Sequence, residues 1–447
     1  TGIADTTFDV TATFSESVSG LTASEITVTN GSVTSLSGSG TTYTITINPV
    51  LQKNVTVSIA AGVAVDLGGN VNTVSNIYSR QAGSPAAAFE EKKEEITTTV
   101  SEEVMRSVSA ALSGNSKMME AAMGRFVRSG LGAGSFNGFL AGGELPLDFK
   151  YSFSANDDGA VASGDFVKEF IGEEDQNDMI ISGDFEIQSD DDGSSTHKFN
   201  TKLAWEKSVS EKIMVGYFLG FDHGKSKFKG TFTGDQDGYG LSAGSYFISE
   251  VKPKLFFDGY ASYGRSWDSL ELDDGSLSVK SDYTTTTRSL GGSLTGVLPV
   301  NSYALGNDKR YSGFGYYEVW PEVQFSYGST DIGKMDFTGS AYGMVDNTLS
   351  IDRKTVSRTS AGFIPHVKVP LDGALVSEST SVFTFSPRLK YEKTRSSTVN
   401  SSVGGGFHVG HTTKSYNGLG ELSIKLMLDR IGSTTTKGAK VKYDLRF

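Results

Sequence analysis

The chain contains no cysteine, only three Trp, nine Pro and five His, and no long apolar run. Each absence excludes something. Zero Cys in 447 residues removes disulfide scaffolds and thiolate metal sites, and it suits a chain threaded unfolded through an oxidising periplasm. No stretch approaches the roughly 18 to 20 consecutive apolar residues that a membrane-spanning helix needs, so any passage through a membrane must be made by strands closed into a barrel. A basic surplus is lacking as well. The formal net charge of −12 argues against nucleic acid as a partner, because nucleic-acid recognition calls for a cationic face. The acids gather in runs such as Glu173 to Asp178 and Asp190 to Asp192, whose natural place is solvated loops. No signal peptide opens the sequence: Thr1 to Val10 is polar and strand-like, which is expected of a mature product or, the favoured reading, a fragment.

What is abundant is Gly, at 53 residues, and Phe, at 27, against a hydrophobic share of 37%. That combination fits a protein that distributes its apolar residues by alternation. Residues 1–82 hold short runs, Phe8 to Phe14, Glu25 to Thr29, Thr42 to Ile47 and Val55 to Ala60, separated by Gly and Asn turns. Strands at that spacing point to a small β-sandwich.

Residues 83–130 differ in kind. Ser84 and Pro85 offer an N-cap and a first-turn proline, and the run to Leu112 is rich in Ala, Glu, Lys and Met without internal Gly or Pro. Ile96, Val100, Val104, Val108 and Leu112 recur every four residues and make one apolar stripe on a polar rod. At about 1.5 Å per residue, Pro85 to Leu112 spans roughly 40 Å, enough to cross a bilayer. Gly114 and Asn115 are expected to break this helix, with a further short turn after them.

Residues 131–177 form an irregular acidic and Gly-rich segment with room for extra strands, and from Asp178 to Phe447 the pattern changes to period two. Phe199, Thr201, Leu203 and Trp205 share one face against Lys198, Asn200, Lys202 and Glu206; Phe383, Phe385, Leu389 and Tyr391 do the same against Arg388, Lys390 and Glu392. Alternation alone also describes a soluble sandwich. Longer polar loops (189–196, 224–236, 267–283, 329–349) alternate with short turns (207–211, 249–253, 413–417), the asymmetry of outer-membrane barrels. The tally from Asp178 is twelve strands. Leu145, Leu147, Phe149, Tyr151 and Phe153 also alternate, so a fourteen-strand count that pairs them with Gly164 to Ile171 stays open.

Two resemblances attach to these segments. The stretch "ATFSESVSGLTASEITVTNGSVTSLSGSGTTYTITINP" with "VAVDLGGN" resembles the bacterial Ig-like repeats of large surface proteins. The order of surface β-domain, helix and C-terminal barrel, with "SGDFEIQSDDDGSS", "KFNTKLAWEKSVSEKIMVGYFLGFDHGKSKFKG" and the terminal "KGAKVKYDLRF", resembles a monomeric autotransporter of the type V secretion class. The resemblance implies an all-β fold: a twelve-stranded antiparallel outer-membrane barrel with the helix in its lumen, preceded by an Ig-like sandwich. It further implies a monomer in outer-membrane lipid, served by periplasmic chaperones and the barrel-assembly machinery, that displays its N-terminal domain at the cell surface as part of an adhesin. Tyr443, Leu445 and Phe447 would then carry the insertion signal, read by strand addition at an unpaired edge.

No coherent catalytic set, cofactor site or metal site stands out. Gly240-Leu241-Ser242-Ala243-Gly244 matches a nucleophile elbow but lies within a strand, where its small residues are expected to make room for the helix. His408 and His411 are an odd number of residues apart and therefore point to opposite faces of a strand. The expectation is a secretion device without enzymatic activity; an open channel and a barrel hydrolase are the alternatives.

Overall fold

The structure, a computed structural model, describes residues 7–51, 53–130, 148–156, 159–170, 178–300, 317–372, 379–396, 398–415, 420–432 and 434–446. The chain is mostly strand with one helix and divides into two compact units. One comprises Thr1–Ile96 with Asp273–Ser281 and Asp336–Ser350; the other comprises Thr97–Leu272, Asp282–Met335 and Ile351–Phe447.

In the first unit, the N-terminal strands form two three-stranded sheets. Phe8–Ser19 lies between Gly31–Pro49 and Val65–Asp66, and Asn54–Ile59 lies between Ile26–Thr29 and Tyr78–Gln81. The sequence dictates which side faces in: Tyr43, Ile45 and Ile47 alternate with threonines, and the register sets Ile47 opposite Phe8 and Ile45 opposite Val10. Those residues join Val55, Val57 and Ile59 in one core. A tight loop after it is fastened by Asp66, whose Oδ1 accepts the Asn70 N–H at 2.8 Å while Asn70 Nδ2 donates to Oδ2 at 2.9 Å. The Asn70 side-chain hydrogen bond holds the Asp66 carboxyl below the usual carboxylate range.

The helix starts at Pro85, where Ser84 Oγ accepts the Ala87 N–H at 3.1 Å, and its first turns pack Phe89 against Phe337 at a ring separation of 5.3 Å. It does not stop at Gly114 and Asn115. The helix is continuous from Pro85 to Gly130, 46 residues, because residues beyond Asn115 pack against the large sheet, and that packing outweighs the propensity cost of one glycine. Among the described residues no helix is long and apolar enough to cross a membrane.

The second unit holds the large antiparallel sheet. Its long strands are Asp148–Asn156, Gly159–Phe170, Asp178–Asp190, Ser195–Ser210, Ile213–Lys229, Thr233–Lys252, Leu255–Asp273, Ser278–Gly296, Tyr317–Ile332, Lys354–Pro370, Ser381–Arg395, Val399–Lys414, Gly420–Ile431 and Thr434–Arg446. The last pairs with the first, Arg446 opposite Asp148 and Tyr443 opposite Tyr151, so the strand order returns to its start as a barrel. The count of long strands among the described residues is therefore fourteen, the count left open in the sequence, and not twelve, and the first described strand of the sheet is Asp148–Asn156, ahead of Asp178. The added pair contains the described part of the alternating run, Phe149 to Phe153, with Tyr151 opposite Gly164; Leu145, Leu147 and Ile171 lie outside the described residues. Several expected loops are strand as well: Ile213–Lys229 and Thr233–Lys252 pair all the way to Lys229 opposite Thr233.

Alternation sorts the two faces of this sheet in an unusual sense. Leu219, Leu389, Leu426, Val441 and Tyr443 stand on the exposed face, Leu426 at 58% accessibility, whereas Lys202, Ala204 and Glu206 on the opposite face are buried. A soluble sandwich would do the reverse.

Candidate functional site

The buried, inward face of the barrel is lined by polar and charged side chains, and the helix from Thr97 to Phe126 packs against it. Its partners are spread from the second long strand to the tenth. Glu103 accepts a hydrogen bond from Ser226 Oγ at 2.9 Å and lies 3.3 Å from Arg106 and 4.0 Å from Lys198. Arg106 reaches Asp190 at 3.5 Å, and Lys117 lies 3.9 Å from Asp184. Arg358 Nη1 donates to Ser109 Oγ at 2.5 Å. A helix that meets Glu169 on the second strand and Arg358 on the tenth is surrounded by the sheet on most sides.

Two polar contacts dominate. Asn115, 3% exposed, accepts from Lys202 Nζ at 2.6 Å and donates through Nδ2 to Ser289 Oγ at 2.9 Å and Ser262 Oγ at 3.1 Å. This one amide ties together strands that are far apart in sequence. Further along the helix, Arg125 Nε and Nη2 donate to the two oxygens of Glu206 at 2.9 and 2.5 Å. The Tyr246 hydroxyl donates to Glu206 at 2.5 Å, and Glu169 lies 3.5 Å from Arg125. A bidentate guanidinium–carboxylate pair fixes orientation as well as distance.

Apolar contacts alternate with these polar ones. Met118, Met119, Ala122 and Phe126 join Ile180, Met214, Phe218, Tyr246 and Phe256 in a core cluster, with Phe126 edge-on to Phe256 at 6.3 Å. On the other side of the helix the Gly328 position admits Val108 and Leu112. A Cβ there would sit 2.8 Å from Val108 Cγ1 and 3.2 Å from Leu112. Gly328→Leu is therefore expected to destabilise helix docking by about 1–3 kcal/mol. Thermal unfolding of the full chain in detergent measures this, and an unchanged midpoint would show that helix and strand do not meet here.

Of the positions singled out in sequence, Ile96, Val100, Val104, Val108 and Leu112 are all buried, none above 6% exposed. Tyr443 is exposed on the outer face; Leu445 lies in the closing strand, and Phe447 lies outside the described residues. Within Gly240 to Gly244, the two glycines do not themselves make space for the helix. A Cβ at Gly244 would meet the Phe218 ring at 2.5 Å and one at Gly240 the Asp222 carboxylate at 2.5 Å, so neighbouring-strand side chains fill that room. His408 and His411 separate as expected: His408 bonds Asp429 at 3.0 Å and His411 bonds Ser381 at 2.8 Å. Among the described residues, no group of three His, Asp or Glu is arranged to hold a metal ion.

Residues 2–81 match the family model of a bacterial Ig-like domain. The chain is also similar to the translocator domain of the autotransporter NalP from Neisseria meningitidis, at 14% identity over 74% of this chain and 98% of that one, with a TM-score of 0.38. A second similar structure is the beta domain of the Bordetella autotransporter BrkA, at 14% identity over 68% and 100%, with a TM-score of 0.36. The CymD monoaromatic hydrocarbon channel is similar at 9% identity over 68% and 89%, with a TM-score of 0.38. Comparison with curated proteins gives no match.

The residues that sequence reasoning missed are Asn115, Arg125, Lys202, Glu206 and Arg358. Lys202 and Glu206 were visible as the polar side of an alternating strand. Nothing local marked Arg125 as the partner of Glu206, because the two stand 81 residues apart.

Proposed function

We propose that this chain is an outer-membrane translocator that inserts as a β-barrel and exports and anchors its N-terminal Ig-like domain at the cell surface, as part of a large adhesin. The observation that carries this reading is the inverted polarity of the sheet. Exposed Leu219, Phe363, Leu426 and Val441 form an outward apolar face, while charged side chains turn inward to a polar helix. An exposed apolar surface of that extent is stable only against another apolar phase, and the acyl chains of a bilayer supply one. A helix held inside such a barrel, with a surface-type domain upstream of it, is the arrangement left when the upstream chain has been passed through.

On this reading the lumen is plugged and the protein works as a monomer in outer-membrane lipid, delivered by periplasmic chaperones to the barrel-assembly machinery. Tyr443, Leu445 and Phe447 are the terminal signal, and export itself requires no chemistry. Planar-bilayer recording tests the plug: the intact chain is expected to give small, mostly closed currents, and large steady currents would overturn it. Protease added to intact cells tests the export, with residues 1–82 expected to be removed while the barrel survives.

A further inference from the structure

Three inward-facing side chains on three adjacent strands form a hydrogen-bonded relay for which export has no use. Ser386 Oγ lies 2.9 Å from His366 Nδ1, and His366 Nε2 lies 3.1 Å from Glu322 Oε2. With Nε2–H donating to the carboxylate, Nδ1 is left to accept the Ser386 proton. Nucleophile, base and orienting acid therefore stand in the order that serine hydrolysis requires, with the two ring nitrogens used in the opposite sense from the familiar triad. We propose that Ser386, His366 and Glu322 form a centre that hydrolyses carboxylic esters.

A second, independent feature lies beside the relay. Pro321 pairs with Pro365, and Pro387 stands where the flanking register would place it opposite Pro365; the ladder between those two strands is paired at Phe363 with Leu389 and at Val367 with Phe385, and not between them. Proline supplies no backbone N–H, so three of them in a row across the sheet leave the strand carrying Ser386 weakly fastened at that point. Ser386 itself is only 4% exposed, whereas the His366 and Glu322 side chains are 29% and 28% exposed. A carbonyl would reach the Ser386 oxygen from this inward side, past the partly open His366 and Glu322 side chains.

The step balances with water as the co-reactant. Ser386 Oγ bonds to the ester carbonyl carbon as its proton passes to His366 Nδ1. The carbon–oxygen bond to the leaving alkoxide then breaks, and His366 returns the proton to release the alcohol. Water attacks the acyl-Ser386, gives a proton to His366, and the acid departs as that proton returns to Ser386. Glu322 does not touch the substrate; it positions His366.

This inference does not depend on export, since a barrel without passenger would keep the relay. The test uses the full chain folded in detergent, its fold verified by heat-shifted gel migration. An alkyl fluorophosphonate is added, and the adduct is mapped by mass spectrometry. Labelling of Ser386 is expected, with p-nitrophenyl butyrate hydrolysis falling about 1000-fold or more in Ser386→Ala. Glu322→Gln is expected to lower kcat about 100-fold or more at unchanged KM, since it removes orientation and leaves the binding surface. Absence of an adduct at Ser386 in the folded, unsubstituted chain overturns the proposal, as does hydrolysis retained in Ser386→Ala.

Discussion

Replacing Arg125 with Ala is expected to weaken the seating of the helix by about 3–5 kcal/mol, the largest effect of any single change inside the barrel. The loss arises less from the missing attraction than from what remains. Glu206, with a side chain only 2% exposed, would keep its charge without its bidentate partner, and Tyr246 alone would be left to bond it. A double change of Arg125 and Glu206 to Met removes the stranded charge and is expected to recover much of the stability, because a well-packed apolar pair is often as stable as a buried ion pair. Thermal unfolding of the full chain, with bilayer conductance beside it, measures both. If Arg125→Ala shifts neither the midpoint nor the current, the helix is held by something other than this pair.

Ile47→Ala should produce the second large effect, confined to the N-terminal domain. Ile47 is fully buried, opposite Phe8 in the register, and shrinking it removes transfer energy while leaving a cavity, at about 2–5 kcal/mol. A β-domain of this size has a total stability of only about 5–10 kcal/mol, so much of its margin would disappear. The measurement is limited proteolysis of the full chain against temperature. Residues 1–82 should become sensitive at lower temperature, and equal resistance would mean that the core does not rest on Ile47.

Much of this architecture was legible because two periodicities are written into the residues. Phe383, Phe385, Leu389 and Tyr391 announce a strand with an apolar face, and Ser84 with Pro85 announces where the helix begins. The strand count was harder, for a physical reason. Beyond the apolar zone, strands such as Ile213–Lys229 continue with His223, Lys225 and Lys227 exposed, so both faces are polar and the period-two signal vanishes while the backbone ladder persists. Polar two-sided strand and loop look alike in sequence. Gly114 misled in the opposite direction: a Cβ there would come within 3.0 Å of Asn200 Nδ2, so the glycine marks close approach of the sheet, not a helix end.

The candidate sites were the least legible part. Asn115 gathers Lys202, Ser262 and Ser289, and Ser386 meets His366 and Glu322, only because antiparallel pairing brings distant segments to one level. Alternation shows which side chains point inward. It carries no information about which inward positions share a height, since that depends on the register of every intervening hairpin.

The seam where Thr434–Arg446 meets Asp148–Asn156 has a temporal meaning. Every other neighbouring pair of long strands is joined through a nearby stretch of chain, whereas this junction unites the two ends of the sheet, Asp148 with Arg446. Its loop-closure entropy is the greatest in the fold, so it is the pairing that forms last when hairpins anneal outward one by one. Until then the sheet is a bent ribbon with two bare edges, open along its whole length. The helix, which lies just upstream of one of those edges, can be laid in sideways during that interval and need not be drawn through a finished ring.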